Sequence, residues 1–146
     1  MEMPFEHYAA GERLYNQIVA PVCEKHGLTH MEFTILLFLA NNLQYDTAAE
    51  IVKYRRLVKS HVSTSIRSLQ EKGLLSAQHW EPDRRTLHLK VLPAARAAVE
   101  DGQAAQKRFG EALFEGFSGE EYALLTALME RIDGNIRRHL DGKHEE

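Results

Sequence analysis

One stretch of the sequence carries a dense set of side chains that can donate hydrogen bonds to an anion. Lys59, Ser60, Ser63, Thr64 and Arg67 recur at spacings that place them on one side of a predicted helix. Because two of these side chains are cationic and three are small hydroxyls, this side can approach phosphates or base edges closely. The chemistry that the stretch predicts is binding to a nucleic acid.

The other reactive residues form no recognisable catalytic or metal-binding pattern. Cys23 is the single cysteine, which excludes an intramolecular disulfide and a multi-cysteine zinc cage, and we interpret it as a small, largely buried apolar residue. Among eight histidines, only His26 and His30 stand four apart, across a predicted helix boundary. The sequence has no Gly-rich phosphate loop and no nucleophile motif. We therefore predict no enzyme, no cofactor and no metal site.

Charge is unevenly distributed along the chain. The net charge is −3, but residues 53–90 contain nine lysines and arginines against three acidic residues, a local charge of +6. The remainder of the chain therefore carries −9. A basic segment between acidic ends indicates a local site for a polyanion or, alternatively, a solvated charged face.

Composition indicates a globular protein that does not enter a membrane. The chain has 146 residues, 44% of them hydrophobic and 27% charged, which suits one domain. Its strongest apolar stretch, residues 33–40, is too short for a membrane span, and the start lacks a signal-peptide pattern. With a single cysteine, these features lead us to expect a cytoplasmic protein.

Three capping boxes predict where helices begin. In each, the hydroxyl of a Ser or Thr accepts a hydrogen bond from the backbone N–H three residues later. The Glu side chain at that later position accepts a hydrogen bond from the backbone N–H of the Ser or Thr. Leu28 and Phe33 flank the first box at the spacing of a hydrophobic staple. The boxes are Thr29 with Glu32, Thr47 with Glu50, and Ser118 with Glu121.

The helix that carries the hydroxyl and cationic side also has an apolar side. Val58, Val62, Ile66 and Leu69 follow one another at steps of four, four and three residues, which aligns them on one helical face. Gly73 predicts the end of this helix. The sequence therefore predicts an amphipathic helix with its polar side outward.

A predicted β-hairpin follows, with strands at residues 75–80 and 86–91 and Arg84 and Arg85 near its tip. Pro82 and Asp83 are the turn formers. Helix, turn, helix and hairpin is the winged helix-turn-helix order. We therefore predict a mainly α (α+β winged helix) fold with about six helices and a two-stranded β-wing.

Long helices are predicted at both ends of the chain. The first covers residues 5–26 with a kink at Pro21, and another runs from Pro93, with interruptions expected at Gly102 and Gly110. Their apolar stripes, with that of the last helix, exceed what a small winged-helix core can cover. A second copy of the chain is the economical partner, so we predict a homodimer formed through the N- and C-terminal helices.

The chain resembles the MarR family of bacterial transcription regulators over essentially its full length. The segments that carry the resemblance are GLTHMEFTILLFLA, DTAAEIVKYRRLVKSHVSTSIRSLQEKGLL, and the wing motif DRR followed by LHLKVL. The resemblance implies a single MarR-like chain over residues 1–146. Within it, residues 29–92 would form the DNA-binding region, and residues 1–28 and 93–146 the dimerisation helices.

The resemblance also implies roles for individual residues. His61 would join Lys59, Ser60, Ser63, Thr64 and Arg67 at the major groove. Asp83 would brace Arg85 for entry into the minor groove, and Arg84 would contact the backbone. Thr47 and Tyr54 would touch phosphates. The chain departs from many members after the wing, where it has Leu92-Pro93-Ala94-Ala95-Arg96, and at His61, where a small hydroxyl is common.

An effector site is also implied, since aromatic acids bind some relatives between the dimer helices and the winged region. Tyr15, Phe33 and Phe38 would line it here; the alternative interpretation, which we weight more heavily, is that these rings belong to the core. Cys23 lies farther along the first helix than the sensing cysteine of some relatives, so its position does not match a peroxide sensor.

The function predicted from the sequence is sequence-specific binding to a double-stranded DNA operator. We expect a homodimeric transcription regulator, namely a repressor that responds to the binding of a small aromatic acid-like effector. The alternative is a winged-helix protein-interaction module that does not bind DNA. The basic hydroxyl face and the arginines of the wing favour the first interpretation.

Overall fold

The computed structural model describes residues 5–80 and 85–142 of the chain, with six α-helices and one two-stranded antiparallel sheet in this part. A 3₁₀ turn, Pro93–Ala95, precedes the fifth helix. The predicted mainly α winged-helix fold is confirmed. The elements are α1 (Phe5–His26), α2 (His30–Asn41), α3 (Ala48–Arg55), α4 (Lys59–Glu71), β1 (Leu75–His79), β2 (Leu87–Val91), α5 (Arg96–Leu113) and α6 (Gly119–Asp141).

The chain divides into two compact units, Met1–Phe109 and Gly110–Glu146. The first unit contains α1 to α4, the sheet and most of α5, and the second contains α6. In the second unit, the ring of Phe114 packs edge-on against the rings of Phe117 and Tyr122. Phe117 lies in the turn that leads into α6, and Tyr122 lies near the start of that helix. The predicted boundaries at residues 28 and 93 stay predictions.

The core of the first unit is built around α2. Eight consecutive residues of this helix, Glu32 to Leu39, are buried, because neighbouring elements cover it on several sides. From α1, Val19 and Val22 join this core. The expectation that the apolar side of α1 needs a second chain is therefore wrong for these two valines.

Helix α5 approaches α2 closely at Gly102. A Cβ at this position would lie 2.8 Å from the side chains of both Phe33 and Leu37, a distance that real Cβ atoms do not tolerate. Gly102 and Gly110 both lie inside a continuous α5, and Pro21 lies inside a continuous α1. The predicted interruptions at the two glycines are therefore wrong, and at Gly102 the close packing of α5 on α2 compensates for the low helix propensity of glycine.

Two of the three predicted capping boxes are complete, those at Thr47 and Ser118. At Thr29 only half of the box forms: the Thr29 hydroxyl accepts from the backbone N–H of Glu32 at 3.1 Å, but the Glu32 carboxylate turns elsewhere. It accepts from Lys72 Nζ at 2.6 Å and from Ser68 Oγ at 3.2 Å. Since the Glu32 side chain is only 4% exposed, it needs a countercharge that a backbone amide cannot supply.

Helix α4 buries Val62, Ile66 and Leu69 in the core, as its amphipathic pattern predicts. Val58 is the exception, with 57% of its surface exposed. It precedes the helix as its N-cap, with extended backbone angles of φ −72° and ψ 127°, so it does not follow the helical phase. The predicted apolar row therefore begins at Val62.

We predict that the carboxylate–ammonium pair of Glu32 and Lys72 stabilises the packing of α2 against α4. Replacing Lys72 by methionine leaves a buried carboxylate without its countercharge. Because the Lys72 side chain is 37% exposed, the loss should stay near the low end for buried pairs, about 1–3 kcal/mol of unfolding free energy. Urea denaturation followed by circular dichroism measures it.

Adding Glu32→Gln to Lys72→Met should recover part of this loss, because a neutral amide does not require a cation. The control is Lys107→Met, which removes an exposed lysine from α5. A Lys72→Met protein as stable as this control would contradict the prediction.

Candidate nucleic-acid interface

The polar side of α4 faces solvent. Its six predicted site residues are all exposed, while the intervening apolar residues are buried. The helix begins at Lys59 without a side-chain cap and without an acidic residue in its first turn. Backbone N–H groups at such a helix start attract anions. The exposed residues are Lys59, Ser60, His61, Ser63, Thr64 and Arg67.

One hydroxyl of this set is already engaged within the helix. Thr64 donates from Oγ1 to the carbonyl oxygen of Ser60 at 2.9 Å, so its oxygen remains available as an acceptor rather than as a donor. The side chains of Lys59 and Arg67, together with the hydroxyls of Ser60 and Ser63, supply the donors of the face.

The wing lies beside this face. Its strands pair from Leu75 with Val91 to His79 with Leu87, and Arg85 precedes the second strand. Arg85 and residues of α3 and α4, among them Lys59 and Ser63, line one cleft of about 430 Å³. The first unit thus brings the arginine of the wing and the start of α4 together. Asp83 and Arg84 lie outside the described residues.

The two predicted site residues around α3 have partners of their own. The Thr47 hydroxyl donates to Glu50 Oε1 at 2.7 Å and accepts from the backbone of Glu50 at 3.2 Å. A phosphate contact from this hydroxyl would require the capping bond to open. Tyr54 is 48% exposed, and its ring stacks on that of Tyr45 with centroids 4.4 Å apart.

Sequence reasoning missed the residues that hold the wing and α3 in place. His88 Nδ1 lies 3.0 and 3.1 Å from the two carboxylate oxygens of Asp46, and the rings of His88 and Trp80 are stacked. A hydrogen bond between the Tyr45 and Tyr54 side chains raises the pKa of Tyr45. No pattern in the sequence predicted that Asp46 packs against the wing.

A cavity of about 550 Å³ lies elsewhere in the first unit. Tyr15 and Phe38 are among the residues that line it, and their role in binding an effector stays a prediction. Phe33 does not line it: it is fully buried in the core beneath Gly102, so the core interpretation holds for this ring. The lining residues are Gly11, Glu12, Tyr15, Thr34, Leu37, Phe38, Asn41, Asn42, Arg55, Gln106 and Phe109.

Aromatic walls and a chain of amides shape this cavity. The Tyr15 ring packs edge-on against Phe109 with centroids 5.1 Å apart, and its hydroxyl accepts from Gln106 Nε2 at 3.1 Å. Gln106 Oε1 in turn accepts from Asn41 at 2.9 Å. Arg55 is the cation among the lining residues. The arrangement suits a flat ring with an anionic group.

The remaining candidate groups have structural partners. Cys23 is buried, and burial raises the pKa of its thiol, as expected of an apolar role. Hydrogen bonds from Lys25 and His26, each 2.8 Å long, lower the pKa of Asp101. Within residues 5–80 and 85–142, no cluster of side chains could hold a metal ion, and no helix is both long and apolar enough to cross a bilayer.

Three similar proteins illustrate what the chain is like. It is 22% identical over 114 residues to YdgJ, an uncharacterized HTH-type transcriptional regulator of Bacillus subtilis, with 78% of this chain and 68% of the relative covered. A putative MarR family regulator of Listeria monocytogenes, solved with a 26mer DNA, matches with a TM-score of 0.80 and 16% identity over 93% of this chain and 90% of that one. Bordetella bronchiseptica BpsR, whose DNA binding is regulated by 6-hydroxynicotinic acid, matches with a TM-score of 0.67 and 20% identity over 90% and 94%.

The fold and the exposed face of α4 define a winged helix-turn-helix protein. Residues 26–86 match the model of the MarR family, and these residues contain α2, α3, α4 and β1. Over this stretch the chain is similar to the MarR family of transcription regulators, and it shares its fold with the two solved structures described above.

Proposed function

We propose that this protein is a homodimeric repressor that binds a double-stranded DNA operator in a sequence-specific manner and releases it when a small aromatic acid binds. The observation that carries the proposal is the shared cleft of Lys59, Ser63 and Arg85. It brings a helix suited to a major groove and an arginine suited to the adjacent minor groove to one surface. The proposal assigns the protein to the cytoplasm, with its DNA.

Three features of the first unit support the DNA-binding part. The exposed side of α4 carries two cations and no acidic group between Lys59 and Arg67. The uncapped start of α4 offers backbone donors to a phosphate. Tyr54 is exposed beside Lys53, whose Nζ lies 5.2 Å from the centroid of the Tyr54 ring, so both can reach a neighbouring phosphate. By the proposal, Thr47 acts chiefly as a helix cap.

We predict that Arg67→Ala weakens binding to a duplex that the wild-type protein selects from a randomised pool. Loss of one base-edge or phosphate contact should cost about 1–3 kcal/mol and reduce the salt slope by about one. Arg131→Ala, which removes the same charge from α6, is the control. Titration by fluorescence anisotropy at several salt concentrations measures both quantities, and equal curves for the two variants would count against the proposed face.

The exposed apolar stripe of α6 supports the homodimer. No residue of this helix is buried in the described chain, although an amphipathic helix is stable only with its apolar side covered. A monomer would present this patch to water. A second copy would cover it and set two α4 helices about one DNA turn apart, roughly 34 Å. The stripe consists of Tyr122, Leu125, Leu128, Met129, Ile132, Ile136 and Leu140, all between 38% and 61% exposed.

We predict that Ile132→Asp converts the dimer to a monomer, because a carboxylate would have to be buried in the apolar interface. Arg131→Asp is the matched control, since the neighbouring position points away from the stripe. Analytical ultracentrifugation gives the mass of each variant. A dimeric Ile132→Asp protein, or a wild-type protein that is monomeric at micromolar concentration, would refute this part of the proposal.

The cavity beside Tyr15 and Phe38 supports the effector part. Its walls offer ring contacts, and Arg55 offers a cation for a carboxylate. Arg55 ends α3, the helix that also carries Tyr54, so a ligand held by Arg55 would act directly on the helix-turn-helix. Binding that favours one arrangement of α3 would lower DNA affinity by population shift.

We predict that 6-hydroxynicotinate, used as a model aromatic acid, raises the melting temperature of the wild-type protein and releases its DNA. Arg55→Gln should weaken the affinity for 6-hydroxynicotinate about tenfold, the loss expected for one charge-assisted hydrogen bond. The adjacent Arg56→Gln, outside the cavity, is the control. A response that is equal in the two variants would exclude Arg55 as the carboxylate partner.

A further inference from the structure

The wing is attached to the turn before α3 by more than its own hairpin. The backbone N–H of Leu89 donates to the carbonyl oxygen of Asp46 at 2.7 Å, and Thr47 forms an isolated antiparallel bridge with His88. The side chains repeat this link, because both carboxylate oxygens of Asp46 lie within hydrogen-bond distance of His88 Nδ1. Residues 46 and 47 therefore extend the edge of the wing.

The indole of Trp80 covers the other side of this link. The rings of Trp80 and His88 lie 4.1 Å apart between centroids and are inclined by only 8°. Trp80 directly follows β1 and is the last residue of the described range 5–80. The imidazole of His88 is thus held by a carboxylate at its edge and by an indole on its face, and its side chain is only 21% exposed.

From this arrangement we infer that His88 is a positioning residue for DNA binding: it ties the wing to the N-terminus of α3 and so fixes Arg85 relative to α4. The inference rests on the proposed function, because it concerns how Arg85 meets DNA. Arg85 stands three residues before His88, just ahead of β2, so a wing that shifts against Asp46 carries Arg85 with it. The hydrogen bond requires a proton on Nδ1, which both the neutral tautomer and the imidazolium provide.

Trp80 reports this stacked pair directly, since it is the only tryptophan of the chain and its indole lies against the imidazole of His88. The fluorescence emission of Trp80 should therefore change in His88→Gln and stay as in the wild-type protein in the control His79→Gln. Equal emission spectra of the wild-type protein and His88→Gln would overturn the stacked pair.

The decisive measurement is a double-mutant cycle on DNA affinity with the duplex selected by the wild-type protein. His88→Ala should weaken binding about three- to tenfold, and His88→Gln, which keeps an N–H donor, should recover most of the loss. In an Arg85→Ala background, His88→Ala should have almost no further effect. Additive losses would overturn the positioning role, since a general loss of stability would not depend on Arg85.

The same set of variants distinguishes an effect on folding from an effect on DNA binding. Should His88→Ala fail to fold by circular dichroism, His88→Gln and Asp46→Asn still carry the test, since both keep a hydrogen-bonding group. A wild-type protein that binds no duplex would refute the proposed function and, with it, the role of His88 in binding. In that case the comparison of Trp80 emission would still decide whether His88 and Trp80 form the stacked pair.

Discussion

The burial of one side of α4 against α2 is the constraint on which the rest of the structure depends. Val62, Ile66 and Leu69 can reach the core only in one rotational setting of the helix, and that setting turns the cationic and hydroxyl residues to solvent. The buried carboxylate of Glu32, held by Lys72 and Ser68, strengthens this setting, since a rotated helix would leave the charge unpaired. The surface proposed for DNA is thus a consequence of what α4 buries.

Much of this arrangement could be predicted from local sequence. The order of helices, the wing and two capping boxes follow from periodicity and turn chemistry, which act over a few residues. Val58 and Glu32 were misjudged for different reasons. Val58 is the N-cap of α4 and so lies just outside the helical phase, whereas Glu32 pairs with a cation 40 residues away along the chain. For Phe33 the core interpretation holds, because α5 covers this ring at Gly102.

The link between His88 and Asp46 belongs to the same class of feature. Alternation along β2 predicts which side a residue faces, but a contact over 42 residues arises only when the turn before α3 folds against the wing. The cavity has the same origin, since its walls come from α1, α2, α3 and α5. Both sites are assembled by tertiary packing. The sequence determines this packing, but no local pattern in a single sequence indicates it.

The absence of a side chain at Gly102 has an effect that reaches beyond α5. A methyl group there would overlap Phe33 and Leu37, so these side chains, or one of the two helices, would have to shift. Because α2 also carries Glu32 and supports α4, any shift of α2 would change the orientation of the exposed side of α4 without altering a residue on it. Gly102 therefore sets the distance between α5 and α2, and the orientation of α4 depends on the position of α2.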